Sequence, residues 1–447
     1  MNFEQDYKSK FVTADEAVKV VKSGDIVHYG EFVMNSHVLD AALAKRKDEL
    51  KGVNIRTVTC PFPPQAVLAD PEREHFIFND WHFSGASRKL HDKNLCNYIS
   101  LTYHEGPSFY ERGYVPVDVA LIKVTPPDKH GFCNLGTTNS ITHAVCDAAK
   151  IVVAEINESV PRCLGGLRES MHVSEIDYFV EGDHRPLINL PELPITDTDK
   201  AIAGIVLEQI KDGDCLQLGI GAMPNAVGAM IAKSDLKNLG VHTEMLVDSF
   251  VDMYDAGRIT NLCKQLDKGR MVYTFAMGTK KLYDFLDMNP FCASFPVSYT
   301  NDPAVIRQQD NMICINNAVE IDLFSQVVSE SSGIRQISGT GGQLDYIFGS
   351  YGSKGGKGLV CLTSTYKDKE GNLKSRIVPT LTPGAIVTVP RSMNYYVVTE
   401  YGIANMKAKS TFERAEALIN LAHPDLRDEL IAEADKMGIW VRTNKIS

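Results

Sequence analysis

One glutamate stands out as a residue that could do covalent chemistry. Glu244 lies in the segment Val241–Val247, whose alternating pattern predicts a β-strand with Glu244 on the same face as His242 and Leu246. A carboxylate that is held in place can act as a nucleophile or as a general acid or base. A glutamate at such a position can equally be a solvated edge residue, so the spacing alone leaves both interpretations open.

Two glycine-rich segments are candidates for binding an anionic group. The first, Gly219–Gly228, follows a predicted strand and opens a predicted helix, where free backbone N–H groups can meet a ligand. Its sixth residue is Pro224, which spoils the G-x-G-x-x-G pattern of a dinucleotide site. No acidic residue ends a second strand at the expected distance either. The segment therefore disfavours a Rossmann-type cofactor site.

The second segment, Ser338–Asp345, has three glycines around Thr340. A loop of this composition could direct several amides at an oxyanion, although a flexible turn is the simpler interpretation of an isolated glycine cluster. A third run, Gly352–Gly358, carries two lysines but lacks the G-x-x-x-x-G-K-[ST] spacing of a phosphate-binding loop.

Other catalytic and metal-binding signatures are missing from the sequence. There is no G-x-S-x-G and no H-E-x-x-H, and His82, His91 and His104 are not spaced like ligands of a compact metal site. The ten cysteines include no C-x-x-C pair, which predicts reduced core cysteines in a cytoplasmic protein. We therefore expect no metal centre.

Composition and charge exclude several kinds of partner. The 447 residues carry 46 Lys+Arg and 56 Asp+Glu, a net charge of -10 with no basic run, which argues against nucleic acid. No stretch approaches the ~20 apolar residues of a membrane span, and the N-terminus lacks the apolar run of a signal peptide. We expect a soluble cytoplasmic protein of two or three domains that binds small molecules and is compatible with a homo-oligomer.

Short apolar runs alternate with amphipathic stretches along the chain, which is typical of an α/β protein with largely parallel sheets. The predicted strands are Asp25–Tyr29, Val53–Thr59, Val117–Val124, Ile151–Glu155, Cys215–Leu218, Met271–Phe275, Met312–Ile315, Gly358–Leu362 and Ile386–Val389. The predicted helices are Ser36–Arg46, Asp199–Ile210, Pro224–Lys233, Lys280–Asp287 and Phe412–Leu421.

An internal repeat divides the chain into two similar halves. Lys22–Gly30 aligns with Lys211–Gly219, because in both a Gly-Asp turn leads into an apolar strand that ends at a glycine. We predict two similar open α/β domains, residues 1–185 and 196–447, joined by the proline-rich linker Glu181–Thr198.

Two further strand pairs keep the same order in both halves. They are Val53–Thr57 with Val241–Met245 and Leu121–Val124 with Cys314–Asn317. In this alignment the first half carries Arg56 or Thr57 where the second carries Glu244. A duplicated fold whose chemistry resides in one copy would show this asymmetry.

Eight motifs, spread over nearly the whole chain, are recognisable together. They are Pro127–Cys133, Asn157–Arg162, Gly219–Val227, Gly240–Met245, Ile315–Asp322, Gly339–Asp345, Val398–Ala404 and Ala422–Arg427. In this order they resemble the acetyl-CoA hydrolase/transferase family, the branch of class I CoA-transferases that includes butyryl-CoA:acetate and 4-hydroxybutyrate CoA-transferases. Two segments, Val389–Tyr396 and Asn405–Lys409, depart from the family pattern and could alter contacts with CoA or the acid.

The resemblance implies a role for each candidate residue. Glu244 would be the catalytic glutamate that attacks the thioester, and Asn316 would contact the reacting acyl or carboxylate group. Gly341 and Gly342 would supply amides that stabilise an oxyanion. The residues expected to bind CoA or the acyl substrate are Gly219, Ile220, Gly221, Met223, Pro224, Asn225, Gly339, Lys280 and Lys281.

The implied reaction is transfer of CoA between a short-chain acyl-CoA and a carboxylic acid, with butyryl-CoA and acetate as the expected pair. It would pass through an acyl-glutamyl anhydride and a glutamyl-CoA thioester. Acyl-CoA is then a substrate, and we expect no permanently bound cofactor. The alternatives within the family are a 4-hydroxybutyrate or propionate CoA-transferase and an acetyl-CoA hydrolase. A nucleotide-binding oxidoreductase or a non-catalytic CoA-binding module is disfavoured by Pro224 and Glu244.

Overall fold

The computed structural model describes residues 3–191 and 193–439. Met1 and Asn2 of the predicted first domain, Glu192 of the predicted linker and residues 440–447 of the predicted second domain lie outside the described residues. Contacts group the chain into two compact units. Unit 1 comprises the chain up to Leu190, Glu244–Asp248 and Met271–Thr300; unit 2 comprises Pro191–Thr243, Ser249–Arg270 and the chain from Asn301 onward.

Unit 1 contains a seven-stranded, entirely parallel sheet with the strand order β4-β3-β2-β1-β5-β7-β9. The strands before residue 190 are β1 (Ile26–Tyr29), β2 (Val53–Thr57), β3 (Phe76–Asp80), β4 (Asn97–Tyr98), β5 (Val117–Val124), β6 (Phe132–Asn134), β7 (Ala149–Ile156), β8 (Ser170–His172) and β9 (Tyr178–Glu181). The sheet is buried on both faces at β5, an almost continuous apolar run, as expected for a central parallel strand.

Unit 2 contains a six-stranded sheet with the order β11-β10-β16-β21-β25-β26, parallel except for β26. The remaining strands of the chain are β10 (Cys215–Leu218), β11 (Gly240–Val241), β12 (Met245–Leu246), β13 (Met271–Tyr273), β14 (Phe275–Ala276), β15 (Cys292–Ser294), β16 (Met312–Asn317), β17 (Glu320–Asp322), β18 (Val327–Val328), β19 (Ser331–Ser332), β20 (Arg335–Gln336), β21 (Lys357–Cys361), β22 (Thr365–Lys367), β23 (Leu373–Ser375), β24 (Ile377–Val378), β25 (Tyr396–Thr399) and β26 (Gly402–Asn405). The predicted α/β class with parallel sheets in two similar parts is confirmed.

Helices connect the strands, and several begin at a side-chain cap. The helices are α1 (Phe3–Ser9), α2 (Ala14–Ala17), α3 (His37–Lys45), α4 (Gln65–Ala69), α5 (Gly85–His91), α6 (Gly106–Glu111), α7 (Thr142–Ala148), α8 (Asp197–Leu207), α9 (Ala222–Lys233), α10 (Asp248–Asp255), α11 (Lys280–Leu286), α12 (Val297–Thr300), α13 (Pro303–Ile306), α14 (Gln343–Gly352), α15 (Thr411–Leu421) and α16 (Arg427–Lys436). Capping boxes start α8, from Thr196 and Asp199, and α15, from Ser410 and Glu413.

The repeated Gly-Asp turn has the same geometry in both halves. The carboxylates of Asp25 and Asp214 each accept a hydrogen bond, at 2.7 Å, from the backbone N–H three residues earlier. Gly24 and Gly213 both have φ of +83°, a left-handed conformation that favours glycine. The two turns therefore direct β1 and β10 into their sheets in the same way.

Strand register corrects the predicted alignment of the two halves by one or two residues. The N–H of Gly30 donates to the carbonyl of Leu121 at 2.8 Å, and the N–H of Gly219 donates to the carbonyl of Ile315 at 3.0 Å. Ile315, and not Cys314, is thus the counterpart of Leu121. Ile26 and Cys215 are equivalent in the repeat, and they pair with Asn54 and Gly240, which are therefore equivalent too. Counting four residues on from each, the first-half equivalent of Glu244 is Val58, and not Arg56 or Thr57.

Some predicted elements differ from the observed ones. Ile386–Val389 is not a strand, since only Val389 makes an isolated bridge and both Ile386 and Val387 are exposed. Met271–Phe275 is interrupted at Thr274, whose N–H donates to the carbonyl of Glu244. The predicted boundaries at residues 185 and 196 stay a prediction; residues 182–191 and 193–196 form no helix or strand.

The cysteines are free thiols, as expected, but one of them is not in the core. Nine are buried, whereas Cys263 is exposed in the loop that follows α10. Within residues 3–191 and 193–439, no helix combines the length and apolar character needed to cross a membrane.

Candidate active site

Glu244 lies at a bend and not within a single strand. β11 ends at Val241 and pairs with β10 in unit 2, whereas β12 begins at Met245 and pairs with β14 in unit 1. The prediction of one continuous strand over Val241–Val247 is therefore wrong. The chain leaves one sheet and enters another within three residues, which leaves Glu244 outside both ladders with a half-buried side chain.

The main chain of Glu244 is held firmly. Its carbonyl oxygen accepts hydrogen bonds from the N–H groups of Thr274 at 3.0 Å and Phe275 at 3.3 Å. The ring of Phe275 stacks on that of Phe32, with the ring centroids 3.7 Å apart and the planes 12° apart. Stacked, buried aromatic rings resist displacement, so the bend that carries Glu244 rests on a rigid base within unit 1.

Two buried residues with hydroxyl groups, Tyr103 and Ser140, belong to unit 1, as Glu244 does. The hydroxyl of Tyr103 lies 2.6 Å from that of Ser140. Burial raises the pKa of Tyr103 well above its ordinary value, and the negative charges of Glu31 and then Glu244 raise it further. Tyr103 therefore stays protonated and can serve as a hydrogen-bond donor.

Glu31 is a second carboxyl group in this part of unit 1. It is 1% exposed, and its Oε1 accepts a hydrogen bond from the Thr142 hydroxyl at 3.0 Å. Burial raises the pKa of Glu31 to about 7, although hydrogen bonds from Ser140, Thr142 and the Ile141 amide favour the ionised form. Glu31 belongs to the segment Glu31–Asn35, which the sequence suggests as a lining of the acyl pocket, but no catalytic role for Glu31 follows from the sequence.

Most of the other candidate residues lie in unit 2, at the carboxyl ends of β10 and β16. Ligands of open α/β sheets commonly bind at this edge. Gly219 follows β10 directly, and Gly221, with φ of +125°, is the N-cap residue of α9. The side chains of Met223 and Pro224 are buried in the first turn of α9, so they hold the helix against the core.

Two candidate residues near Gly221, Ile220 and Asn225, differ in how open they are to a ligand. Ile220 is 55% exposed. The N–H of Asn225 donates to the carbonyl of Gly221 at 3.1 Å and is therefore already part of the helix.

Asn316 forms a reciprocal amide pair with Gln217. Its Nδ2 donates to Gln217 Oε1 at 3.0 Å, and its Oδ1 accepts from Gln217 Nε2 at 3.3 Å. Both side chains are at least nine-tenths buried. Gln217 belongs to none of the eight motifs recognised in the sequence. Its position two residues before Gly219, on the strand that leads into the glycine loop, is the signal that points to it.

Asn317 connects the two glycine loops of unit 2. Its Nδ2 donates to the carbonyl of Ile220 at 3.2 Å, and its own carbonyl accepts from Gln343 Nε2 at 3.1 Å. Gln343 is the first residue of α14 and follows the loop Gly339–Gly342. The two loops that were identified separately in the sequence are thus tied to one residue.

The loop Gly339–Gly342 is anchored by a buried glutamate. Glu330 is 3% exposed, and its Oε2 accepts from the hydroxyls of Thr340 at 2.9 Å and Thr388 at 3.2 Å. Burial raises the pKa of Glu330. Gly341 has φ of +53°, a left-handed conformation in which any other residue is strained. The loop therefore has a defined shape and is not a flexible turn.

Lys280 and Lys281 lie at the exposed start of α11 in unit 1. The ammonium of Lys280 is 2.6 Å from the Asp284 carboxylate one helical turn later. The preceding turn is fixed by Asp248, whose carboxylate accepts from the Thr279 N–H at 2.9 Å and from its hydroxyl at 2.6 Å. Both lysines are accessible cations on a fixed turn, which is what an exposed phosphate contact requires.

The structure therefore brings together Gly219–Asn225, Asn316 and Gly339–Gly342 within unit 2, and groups Glu244, Lys280 and Lys281 with unit 1. Among the described residues there is no cluster of three or more His, Cys, Asp or Glu side chains arranged to hold a metal ion.

Comparison with known sequences covers most of the chain. The profile described as Acetyl-CoA hydrolase/transferase N-terminal domain matches residues 1–191, and the corresponding C-terminal domain matches residues 278–434. The butyryl-CoA:acetate CoA-transferase of Anaerostipes caccae is 52% identical over 446 residues, covering 100% of both chains. The 4-hydroxybutyrate coenzyme A transferase of Clostridium kluyveri is 42% identical, covering 98% of this chain and 100% of that one.

Solved structures agree with this relationship. RipA from Yersinia pestis superimposes with a TM-score of 0.89 at 34% identity, covering 98% of this chain and 100% of RipA. The 4-hydroxybutyrate CoA-transferase from Porphyromonas gingivalis superimposes with a TM-score of 0.80 at 32% identity and the same coverage. The chain belongs to the acetyl-CoA hydrolase/transferase family.

Proposed function

We propose that this protein transfers CoA from butyryl-CoA to acetate, with Glu244 as the nucleophile. The observation that carries the proposal is the 52% identity, along the whole chain, to a relative named for that reaction. Local geometry supports the role of Glu244, because its main-chain carbonyl accepts two amide hydrogen bonds while its side chain remains half-buried. Such a carboxylate is preorganised without being sealed from substrate.

The first half of the reaction loads CoA onto the enzyme. A carboxylate oxygen of Glu244 attacks the butyryl carbonyl, the carbon–sulfur bond breaks, and CoA leaves as a thiolate, which gives a butyryl-glutamyl anhydride. The thiolate then attacks the glutamyl carbonyl of this anhydride. Butyrate leaves, and Glu244 becomes a glutamyl-CoA thioester.

The second half repeats these steps in reverse with acetate. Acetate attacks the glutamyl carbonyl and expels the thiolate, which gives an acetyl-glutamyl anhydride. The thiolate attacks the acetyl carbonyl, so that acetyl-CoA forms and the Glu244 carboxylate is regenerated. No water enters, and the energy of the thioester bond is conserved.

Each addition creates an oxyanion that needs hydrogen-bond donors. We assign this task to the amides of Gly341 and Gly342, because a glycine loop lets substrate approach the main chain and its anchoring by Glu330 keeps those amides in place. Asn316 Nδ2 carries two hydrogens, and its bond to Gln217 uses one. The second can be donated to the acyl or carboxylate oxygen.

The mechanism requires no resident cofactor, because the thioester itself supplies the electrophile and CoA is a substrate. We place the protein in the cytoplasm, where ten unpaired cysteines stay reduced.

The test is to trap the Glu244 adduct. The protein is incubated with butyryl-CoA and treated with borohydride or hydroxylamine, and the peptide that contains Glu244 is examined by mass spectrometry. We expect modification at Glu244, and loss of both modification and transfer in Glu244→Gln. Glu429→Gln, on the exposed surface of α16, is the control and should react normally. An unmodified Glu244 together with full activity of Glu244→Gln contradicts the proposal.

Acceptor dependence separates transfer from hydrolysis. With butyryl-CoA alone, a transferase stops after one equivalent of butyrate per active site, whereas a hydrolase continues to release CoA. We expect turnover only when an acid is added, with acetate better than propionate or 4-hydroxybutyrate. Steady release of CoA without an acid would instead indicate hydrolysis.

A further inference from the structure

A buried lysine lies next to the two chain segments that carry the main-chain contacts of Glu244. Lys264 is 4% exposed and lies in the loop between α10 and β13. Its Nζ donates to the carbonyl oxygens of Val241, at 2.8 Å, and Arg270, at 2.7 Å. The first carbonyl is three residues before Glu244, and the second is four residues before Thr274.

We propose that Lys264 is a positioning residue for Glu244. Its ammonium group joins the segment that runs from Val241 to Glu244 to the segment that runs from Arg270 to Thr274, and these two segments are also hydrogen-bonded to each other at Glu244 and Thr274. This role rests on the proposed function, in which Glu244 is the nucleophile. Lys264 does not itself contact the reacting atoms; it acts through the backbone of these segments.

The contacts form a closed ring. From Lys264 the ring runs through Val241 to Glu244, whose carbonyl accepts from the N–H of Thr274 at 3.0 Å. From Thr274 it returns through Arg270 to the Lys264 ammonium. A short ring that is closed by hydrogen bonds at both ends allows its backbone little freedom. Without the ammonium the ring opens at one end, and the hydrogen bonds from Thr274 and Phe275 to the Glu244 carbonyl remain.

The surroundings of Lys264 are built to hold it. Val241 belongs to the edge strand β11, and its N–H donates to Asn261 Oδ1 at 2.8 Å. The loop thus provides a side-chain partner for both main-chain polar groups of Val241. A Cβ on Gly240 would lie 2.6 Å from Lys264 Cγ, so the lysine stem occupies the space that a side chain at Gly240 would need. This explains the glycine that opens the motif Gly240–Met245.

The test compares Lys264→Met with Lys357→Met. Methionine keeps the apolar stem and removes the ammonium. Lys357 is a matched control in unit 2, because its Nζ also donates to a carbonyl, that of Gln209 at 3.2 Å. We expect Lys264→Met to lower kcat and the single-turnover rate of Glu244 adduct formation by about 10–100-fold, with KM for butyryl-CoA changed less than about 2-fold. Lys357→Met should keep kcat within about 2-fold of the wild type.

The outcomes separate the two proposals. If wild-type protein forms the Glu244 adduct and Lys264→Met forms it as fast as Lys357→Met does, the positioning role is wrong and the proposed function stands. If the wild type forms no adduct, the proposed function itself fails. A parallel loss of kcat and rise of KM in Lys264→Met would indicate a general structural defect and would also overturn the positioning role.

A pH profile of the wild type provides the test if Lys264→Met does not fold. Burial lowers the pKa of Lys264 to about 8. Two titratable groups face its ammonium: the Cys215 thiol and the Asp267 carboxylate. Burial raises the pKa of the Cys215 thiol to about 11. Loss of the charge weakens both hydrogen bonds to carbonyl oxygens. The rate of adduct formation should therefore fall between pH 7.5 and 9.5, on the order of 10-fold. A constant rate over this range overturns the proposal.

Discussion

Gln217 and Asn316 exchange two hydrogen bonds across neighbouring parallel strands, at 3.0 and 3.3 Å between their amide groups. Each amide fixes the orientation of the other. If one side chain alone exchanged its oxygen and nitrogen, donor would face donor and acceptor would face acceptor. In the observed pairing, Asn316 Nδ2 keeps a second hydrogen that the bond to Gln217 does not use. Its orientation depends on a residue that does no chemistry of its own.

Removing the partner should disorient Asn316. In Gln217→Met the volume of the side chain is kept and both hydrogen bonds are lost, so we expect kcat to fall by roughly 10-fold with a smaller change in KM. The measurement is steady-state kinetics with butyryl-CoA and acetate. Gln308→Met, at an exposed position on the same unit, is the control. Equal kinetics of the two variants would show that Asn316 does not depend on Gln217.

The left-handed conformation of Gly341 predicts a catalytic defect that exceeds the cost of strain. Gly341→Ala adds strain of about 1–2 kcal/mol at φ of +53° and should also displace the amides of the loop. We expect kcat to fall by about 10–100-fold. Gly52→Ala is the matched control, since Gly52 has φ of +66° and its added Cβ would meet nothing within 4 Å. It should lower the melting temperature without changing kcat; a similar loss of kcat in both variants would argue against a role of the loop in the reaction.

The anchoring of the glycine loop by Glu330 predicts different effects of two substitutions. Glu330→Gln keeps an oxygen that accepts from Thr340 and Thr388, so the loss of kcat should stay below about 3-fold. Glu330→Leu leaves both hydroxyls without their acceptor, and we expect kcat to fall by more than about 10-fold. Kinetics and thermal melting are measured on both. Indistinguishable values of kcat for the two variants would show that the hydrogen bonds do not shape the loop.

The buried carboxyl of Glu31 makes stability depend on pH. Its pKa is raised from 4.5 to about 7 in the folded protein, mainly by burial. The folded protein therefore binds a proton that the unfolded chain releases between these values, so the stabilising contribution is complete below pH 4.5 and is lost as the pH rises through 7. At pH 8 the ionised group costs on the order of 3 kcal/mol.

Glu31→Gln removes this cost while keeping an acceptor for the Thr142 hydroxyl. We expect its melting temperature to exceed that of the wild type at pH 8 by several degrees and to match it, or to lie slightly below, at pH 5. Glu429→Gln should show no such difference between the two pH values. A melting-temperature difference for Glu31→Gln that does not change with pH would contradict the raised pKa.

Several features of the fold follow from local sequence, because the interactions that form them are local. The turns at Gly24 and Gly213 each bond an aspartate to a backbone N–H three residues away. The capping box that starts α8 uses Thr196 and Asp199. The Gly-Asp turns predicted the repeat and the strands β1 and β10 closely, and the alternation of apolar runs with amphipathic stretches predicted the α/β class.

The sequence alone determined the motifs, and with them the family and the identity of the candidate nucleophile. The tertiary structure decided which residues hold the chemical groups in place, since these partners are distant in the chain. Gln217 meets Asn316 across 99 positions, and Thr388 meets Glu330 across 58.

Hydrophobic alternation at Val241–Val247 predicted a single strand, but alternation cannot tell one strand from two that belong to different sheets. The hydrogen bonds from Thr274 and Phe275 to the Glu244 carbonyl, visible only in the folded chain, create the bend on which the glutamate lies.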